Sequence, residues 1–161
     1  MIRPAGFLAL ALAVACATTT AGGGTYAADR GDASVKGLVN GSVRVTFQAA
    51  LQALVEVPIE PRLVEPERGR VETDYFDLTP FAWQAERYPP IERIVRYIVV
   101  VAPDTLGRGS RILISALYQP SPSPYVRGRA TERLVPRDHP AVEYAEVLLG
   151  RIEKKVASAP E

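Results

Sequence analysis

The sequence predicts an α+β domain: an antiparallel sheet of four to five strands, covered by an N-terminal helix and a longer C-terminal helix. Three observations predict it. Arg93 to Ala102, "RIVRYIVVVA", and Ser110 to Tyr118, "SRILISALY", are dense in β-branched and aromatic residues and flank the turn-forming stretch Pro103 to Gly109. Tyr144, Leu148, Ile152 and Val156 recur every fourth residue, with Ala145 and Leu149 beside them, as expected of an amphipathic helix over about 139–157. Val43, Phe47, Ala50, Leu51 and Leu54 repeat that spacing over about 42–55. An antiparallel sheet with one apolar face needs a cover, and these two helices supply it.

Taken in order, residues 29–41 are polar and punctuated by glycine, and read as linker. Ser42 opens the first helix. "VPIEPRLV" is broken by prolines and belongs at a sheet edge, because proline cannot donate to a ladder. Glu65 to Gly69 reads as a turn in which Gly69 takes positive φ. "RVETDYFD", residues 70–77, alternates charged and apolar residues like a strand with one wet face, so the two segments form a first hairpin. Residues 78–92 are a long loop bearing Phe81, Trp83 and Tyr88. After the second hairpin, residues 119–137 read as a proline- and arginine-rich surface loop, with an edge strand somewhere in 125–135. Asp138 is placed to cap the last helix, with Pro140 in its first turn. The organisation is thus residues 1–15 as a signal, 16–41 as tether and linker, 42–157 as one domain, and 158–161 as a tail.

Composition narrows the function. Net charge is +1, and removal of residues 1–15 takes Arg3 away and leaves 18 basic against 18 acidic residues. A neutral chain has no general field to draw it onto nucleic acid, and no nucleic-acid partner is expected. His139 is the only histidine and Cys16 the only cysteine. Neither has the partners a metal site or an internal disulfide needs, so no metal and no cofactor are expected. His139 reads as an exposed residue at a helix start. Glu65, Glu67, Glu72, Asp74 and Asp77 cluster, but arginines interleave with them, and they read as a solvated hairpin with cross-strand ion pairs. No Gly-x-Ser-x-Gly elbow and no phosphate-binding glycine fingerprint occurs, so no catalytic residue is assigned and the chain is expected not to be an enzyme. Two groups are candidates for interaction instead. The aromatics Phe76, Phe81, Trp83 and Tyr88 read first as a set with Trp83 buried over the open end of the core, and otherwise as an exposed docking patch. Arg127, Arg129, Arg133 and Arg137 read first as a polar loop, and otherwise as a basic binding patch.

The N-terminus has the three parts of an export signal: the basic Arg3, an apolar run from Phe7 to Val14, and small residues after it. The apolar run is far short of the ~20 residues that span a bilayer. Ala13-Val14-Ala15-Cys16 resembles the lipobox of bacterial lipoproteins, with Ala13 where that family prefers leucine. The resemblance implies cleavage before Cys16, a diacylglycerol on its thiol and an acyl chain on its freed amine. Cleavage of an ordinary signal after Ala15, Ala17 or Ala27 and an uncleaved apolar N-terminus are the alternatives. Ala17 after the cysteine implies sorting to the outer membrane, and "ATTTAGGGTYAA" suits a tether.

An exported chain with an amphipathic first helix, an extended segment, an acidic-Arg-Gly turn, "RVETDYF", a second hairpin and a C-terminal helix is similar to the helix-grip domains of BamC-like lipoproteins. The similarity covers about residues 40–157. It implies a non-enzymatic envelope lipoprotein, anchored in the outer membrane, facing the periplasm, and serving as a structural or assembly partner of outer-membrane proteins. The alternative expectation is a periplasmic module that binds a ligand in an apolar cavity between the sheet and the C-terminal helix.

Overall fold

A computed structural model describes residues 34–119 and 132–159. One sheet lies against two helices. Its strands are β1 (Ser34–Val39), β2 (Pro61–Glu65), β3 (Arg70–Thr73), β4 (Phe76–Asp77), β5 (Ile94–Pro103), β6 (Ser110–Tyr118) and β7 (Arg133–Leu134). The long helices are α1 (Val43–Glu56) and α3 (Pro140–Ser158), and a single turn, α2 (Pro90–Arg93), leads into β5. The main path through the sheet is β1-β6-β5-β3-β2, all antiparallel, with β4 added to β5 and β7 to β6. The predicted α+β class holds. Five strands make the continuous sheet, and the two-residue β4 and β7 extend it at one end.

The alternation of the two longest strands sets the layers. Val95, Tyr97, Val99 and Val101 of β5 lie opposite Tyr118, Ala116, Ile114 and Ile112 of β6 and share one face. Most of that set is fully buried, together with Phe47, Ala50 and Leu54 of α1 and Leu148 and Ile152 of α3. The interval between the sheet and α3 is occupied by side chains: the Tyr97 hydroxyl donates to the Ala141 carbonyl at 2.8 Å, and its ring lies 6.5 Å from that of Tyr144. Burial, and after it the neighbouring Tyr144, pushes the Tyr97 pKa far up. Ser42 caps α1 as expected, its hydroxyl accepting from the Val45 amide.

Strand β1 is a correction, because the sequence reads residues 29–41 as linker. Its inward positions are Val35, Gly37 and Val39, registered on Ile114, Ile112 and Ser110. A Cβ at Gly37 would lie 2.8 Å from both terminal carbons of Leu149, so the helix side chain fills the space a strand residue would take. Glycine at the central inward position erases the alternation that marks a strand.

The turn over Glu65–Gly69 is a short 3-10 turn closed by Gly69 at φ 59°. A Cβ there would come within 2.1 Å of the Val101 carbonyl oxygen. Gly107, at φ 68° in the β5–β6 turn, has no atom within 4 Å of that position. Gly107→Ala should therefore lose only the left-handed penalty of about 1–2 kcal/mol. Gly69→Ala should lose that and the backbone clash, and its urea midpoint should fall clearly further. Equal midpoints would contradict the contact between Gly69 and β5.

Candidate functional site

Register fixes one end of the sheet as the place where the singled-out residues meet. β1 and β5 both run antiparallel to β6, so both begin at the end where β6 finishes. β4 pairs with the first residues of β5, through Phe76 with Val95 and Asp77 with Ile94. The loop 78–92, α2, β7 and the start of α3 gather at this end.

The aromatic loop is held by its small and apolar residues. Leu78 and Ala85 are fully buried, and Phe81 packs its ring 5.7 Å from Phe76 and 5.4 Å from Tyr144. Trp83, on the same loop, is a correction: it does not close over the end of the core but is 84% exposed. Ile91 and Ile94, on and beside α2, are also exposed, at 42% and 39%. Tyr88 is half-buried; its hydroxyl donates to the Asp138 carbonyl at 3.1 Å and its ring lies 4.6 Å from His139. Arg133 is exposed on β7, opposite Tyr118. The structure thus brings Trp83, Tyr88 and Arg133 to one end. Cys16, Arg127 and Arg129 lie outside the described residues.

His139 is a correction on two counts. It is 3% exposed, not solvated, and it caps α3 in place of Asp138. Its Nδ1 accepts from the Ala141 amide at 3.1 Å, and its Nε2 lies 3.1 Å from the Glu92 carbonyl oxygen. The two contacts fit one neutral tautomer, with the proton on Nε2 donated to Glu92. A protonated ring would turn an N–H toward the Ala141 N–H. Burial accordingly lowers the His139 pKa, against the raising effect of the Glu92 carbonyl and of the Glu92 and Asp138 charges.

The second correction is the acidic hairpin. Glu72 is not a solvated rung. It faces away from the helices, beside Ile98, and ion-pairs with Arg70 on its own strand and with Arg96 of β5 at 2.6 Å. Arg96 is 5% exposed and makes a second ion pair with Glu132 at 2.5 Å, while the Tyr75 hydroxyl donates to Glu132. The Arg96 guanidinium also sits 5.9 Å from the Tyr75 ring. Burial alone would lower the Arg96 pKa, but hydrogen bonds to Glu132 and Glu72 outweigh it and raise it. Burial would raise Glu132, and the hydrogen bonds from Arg96 and Tyr75 with the charges of Arg96 and Arg62 hold it below the ordinary value. Tyr75 is pushed up to about 12 by its burial and by the Glu132 bond. Every partner supports the charged guanidinium, so the arrangement is a structural tie between β3, β5 and the chain entering β7. Sequence reasoning missed it because Arg96 stands inside an apolar strand, where only its break in the run "IVRYIVVV" marks it.

Among the described residues no group of three or more His, Cys, Asp or Glu is placed to hold a metal ion, and no helix is long and apolar enough to cross a membrane. No family model and no curated protein matches the chain.

The His139 tautomer sets a pH dependence. Its folded pKa lies below the unfolded value near 6.5, so the unfolded chain takes the proton first as pH falls. Stability should be full above about pH 6.5 and fall below it, by at most ~1.4 kcal/mol per pH unit from this group. His139→Asn keeps an acceptor for Ala141 and should flatten the dependence between pH 7 and 5, read from thermal or urea unfolding. An unchanged slope would contradict the buried neutral ring.

Proposed function

We propose that the chain is a non-enzymatic lipoprotein of the bacterial envelope, anchored in the outer membrane through acyl chains on Cys16, with its domain in the periplasm, and acting as a structural or assembly partner of outer-membrane proteins. The observation that carries the reading is the exposure of Trp83 on a loop whose Leu78, Phe81, Ala82 and Ala85 are packed into or against the core. A large aromatic held out in water is costly, and aromatics of this kind concentrate at interaction surfaces. Arg133 at the same end of the sheet adds a cation of the type enriched there. The lipobox-like Ala13-Val14-Ala15-Cys16 supplies the anchor in this reading.

Two further observations favour it over its rivals. The packing of Tyr97, Tyr144, Leu148 and Ile152 between sheet and α3 speaks against a ligand cavity at that place. The lone histidine is turned inward and committed to two backbone partners, which leaves it no role as an exposed base.

Intact mass of the membrane-extracted protein, beside Cys16→Ser, tests the anchor. The wild type should begin at Cys16 and carry diacylglycerol and an amine-linked acyl chain, and Cys16→Ser should carry neither. An unacylated wild type recovered from the soluble periplasm would overturn the proposal.

A further inference from the structure

We infer that the end of the domain bearing Trp83 and Ile91 rests in the headgroup region of the bilayer to which Cys16 is attached, so that the lipid interface is itself what Trp83 contacts. The inference rests on the anchor proposed above and adds the orientation of the domain.

Three observations carry it. First, the chain enters the domain at Ser34 from the same end of the sheet that bears the Trp83 loop, because β1 and β5 start side by side in direction. The stretch from Cys16 to Ser34 reaches ~60 Å at most even when fully extended, so a Cys16 anchor keeps the domain beside the membrane and is joined to it through this end. Second, the exposed apolar residues at this end are of the interfacial kind. Trp83 is 84% exposed, and Ile91 and Ile94, three residues apart across the end of α2, are exposed with it. An indole is apolar over most of its surface and carries one N–H, which suits the water–lipid boundary better than either phase. Third, the charges along this loop cancel: Glu86 and Glu92 stand against Arg87 and Arg93. Residues 78–93 thus carry no net charge and make no demand for anionic lipid, and their affinity comes from burying Trp83 and Ile91. That affinity is small alone, but a tethered domain meets the surface at high effective concentration. A protein groove is the competing occupant of Trp83, and the start of β1 at this end, on the side joined to Cys16, favours the bilayer over it.

Trp83 is the only tryptophan, so its fluorescence reports this contact directly. The full-length acylated protein is reconstituted in phosphatidylcholine vesicles, with and without phosphatidylcholine brominated in the upper acyl chain. Emission should move to shorter wavelength relative to detergent-free Cys16→Ser protein, and the brominated lipid should remove about half of the intensity. An Ile91→Ser, Ile94→Ser double variant should keep its acyl mass and its far-UV circular dichroism but lose most of the quenching. Acylated wild-type protein with emission unchanged and unquenched would overturn the inference and leave the anchor standing; that result, with quenching absent but Trp83 protected once an envelope protein is added, would assign the patch to a protein. A preparation lacking the acyl mass would overturn the anchor and this orientation together.

Discussion

The tie of Arg96 to Glu72 and Glu132 is the interaction on which the arrangement of this domain depends. A buried guanidinium forfeits hydration worth several kcal/mol, and only close carboxylates offset the loss. β5 meets three partner strands, β3, β4 and β6, and it carries Arg96 on one face and Tyr97 on the other. Outward, Arg96 draws in Glu72 of β3 and Glu132, which leads into β7. Inward, the Tyr97 amide donates to the Thr73 hydroxyl at 2.9 Å and its phenol reaches the first turn of α3. Two consecutive residues thus fix β3, β7 and α3 on the same strand. The Arg96 Nε is buried without a hydrogen-bond partner among the described residues, so the cluster favours specificity of arrangement more than raw stability.

The contacts made by the chain beyond Glu132 give the Trp83 end of the sheet its form. Glu132 fixes the segment that pairs Leu134 with Leu117 and gives the Val135 amide the Ala116 carbonyl at 3.1 Å. Four residues on, His139 caps α3 and meets the Glu92 carbonyl, while the Asp138 carbonyl receives the Tyr88 hydroxyl. Those two contacts pin both ends of the aromatic loop's second half. With Leu78 and Ala82 buried before it, Trp83 is presented by a loop that is fastened on either side, and a fastened loop loses little conformational freedom when it docks.

Most of the fold was legible because its long elements carry strong periodicity. β6 was readable to the residue and β5 to within one, since their apolar runs are bounded by turn residues at Pro103–Gly109. Ser42 announced α1, and Gly69 announced the tight turn. What was not legible came from tertiary contacts that alter what a residue type means. Gly37 hides β1 because Leu149 stands where its side chain would be. His139 displaces Asp138 as the cap because Tyr88 and Glu92, about fifty residues away in sequence, come to shelter it. Glu72 reads as a wet rung until Arg96 is seen across the ladder. Of the residues singled out for interaction, Trp83, Tyr88 and Arg133 were visible by type, yet the exposure of Trp83 was not, and their common location emerged only from the register of β1, β4 and β7 on the two long strands.

If the Arg96–Glu132 tie holds the end of the domain that presents Trp83, releasing it must loosen that end and leave the other intact. Amide hydrogen exchange of Glu132→Gln beside wild type reads both ends at once. Protection should fall at Val135 and His139 and, through them, at Phe81, Ala82 and Tyr88, whose amides are bonded within the loop to Leu78 and Ala85. The Val101 amide, bonded to Gly69 at the opposite end, should keep its protection. Loop amides that exchange as in wild type while Val135 alone opens would contradict the role given to the tie, and so would an equal loss at Val101.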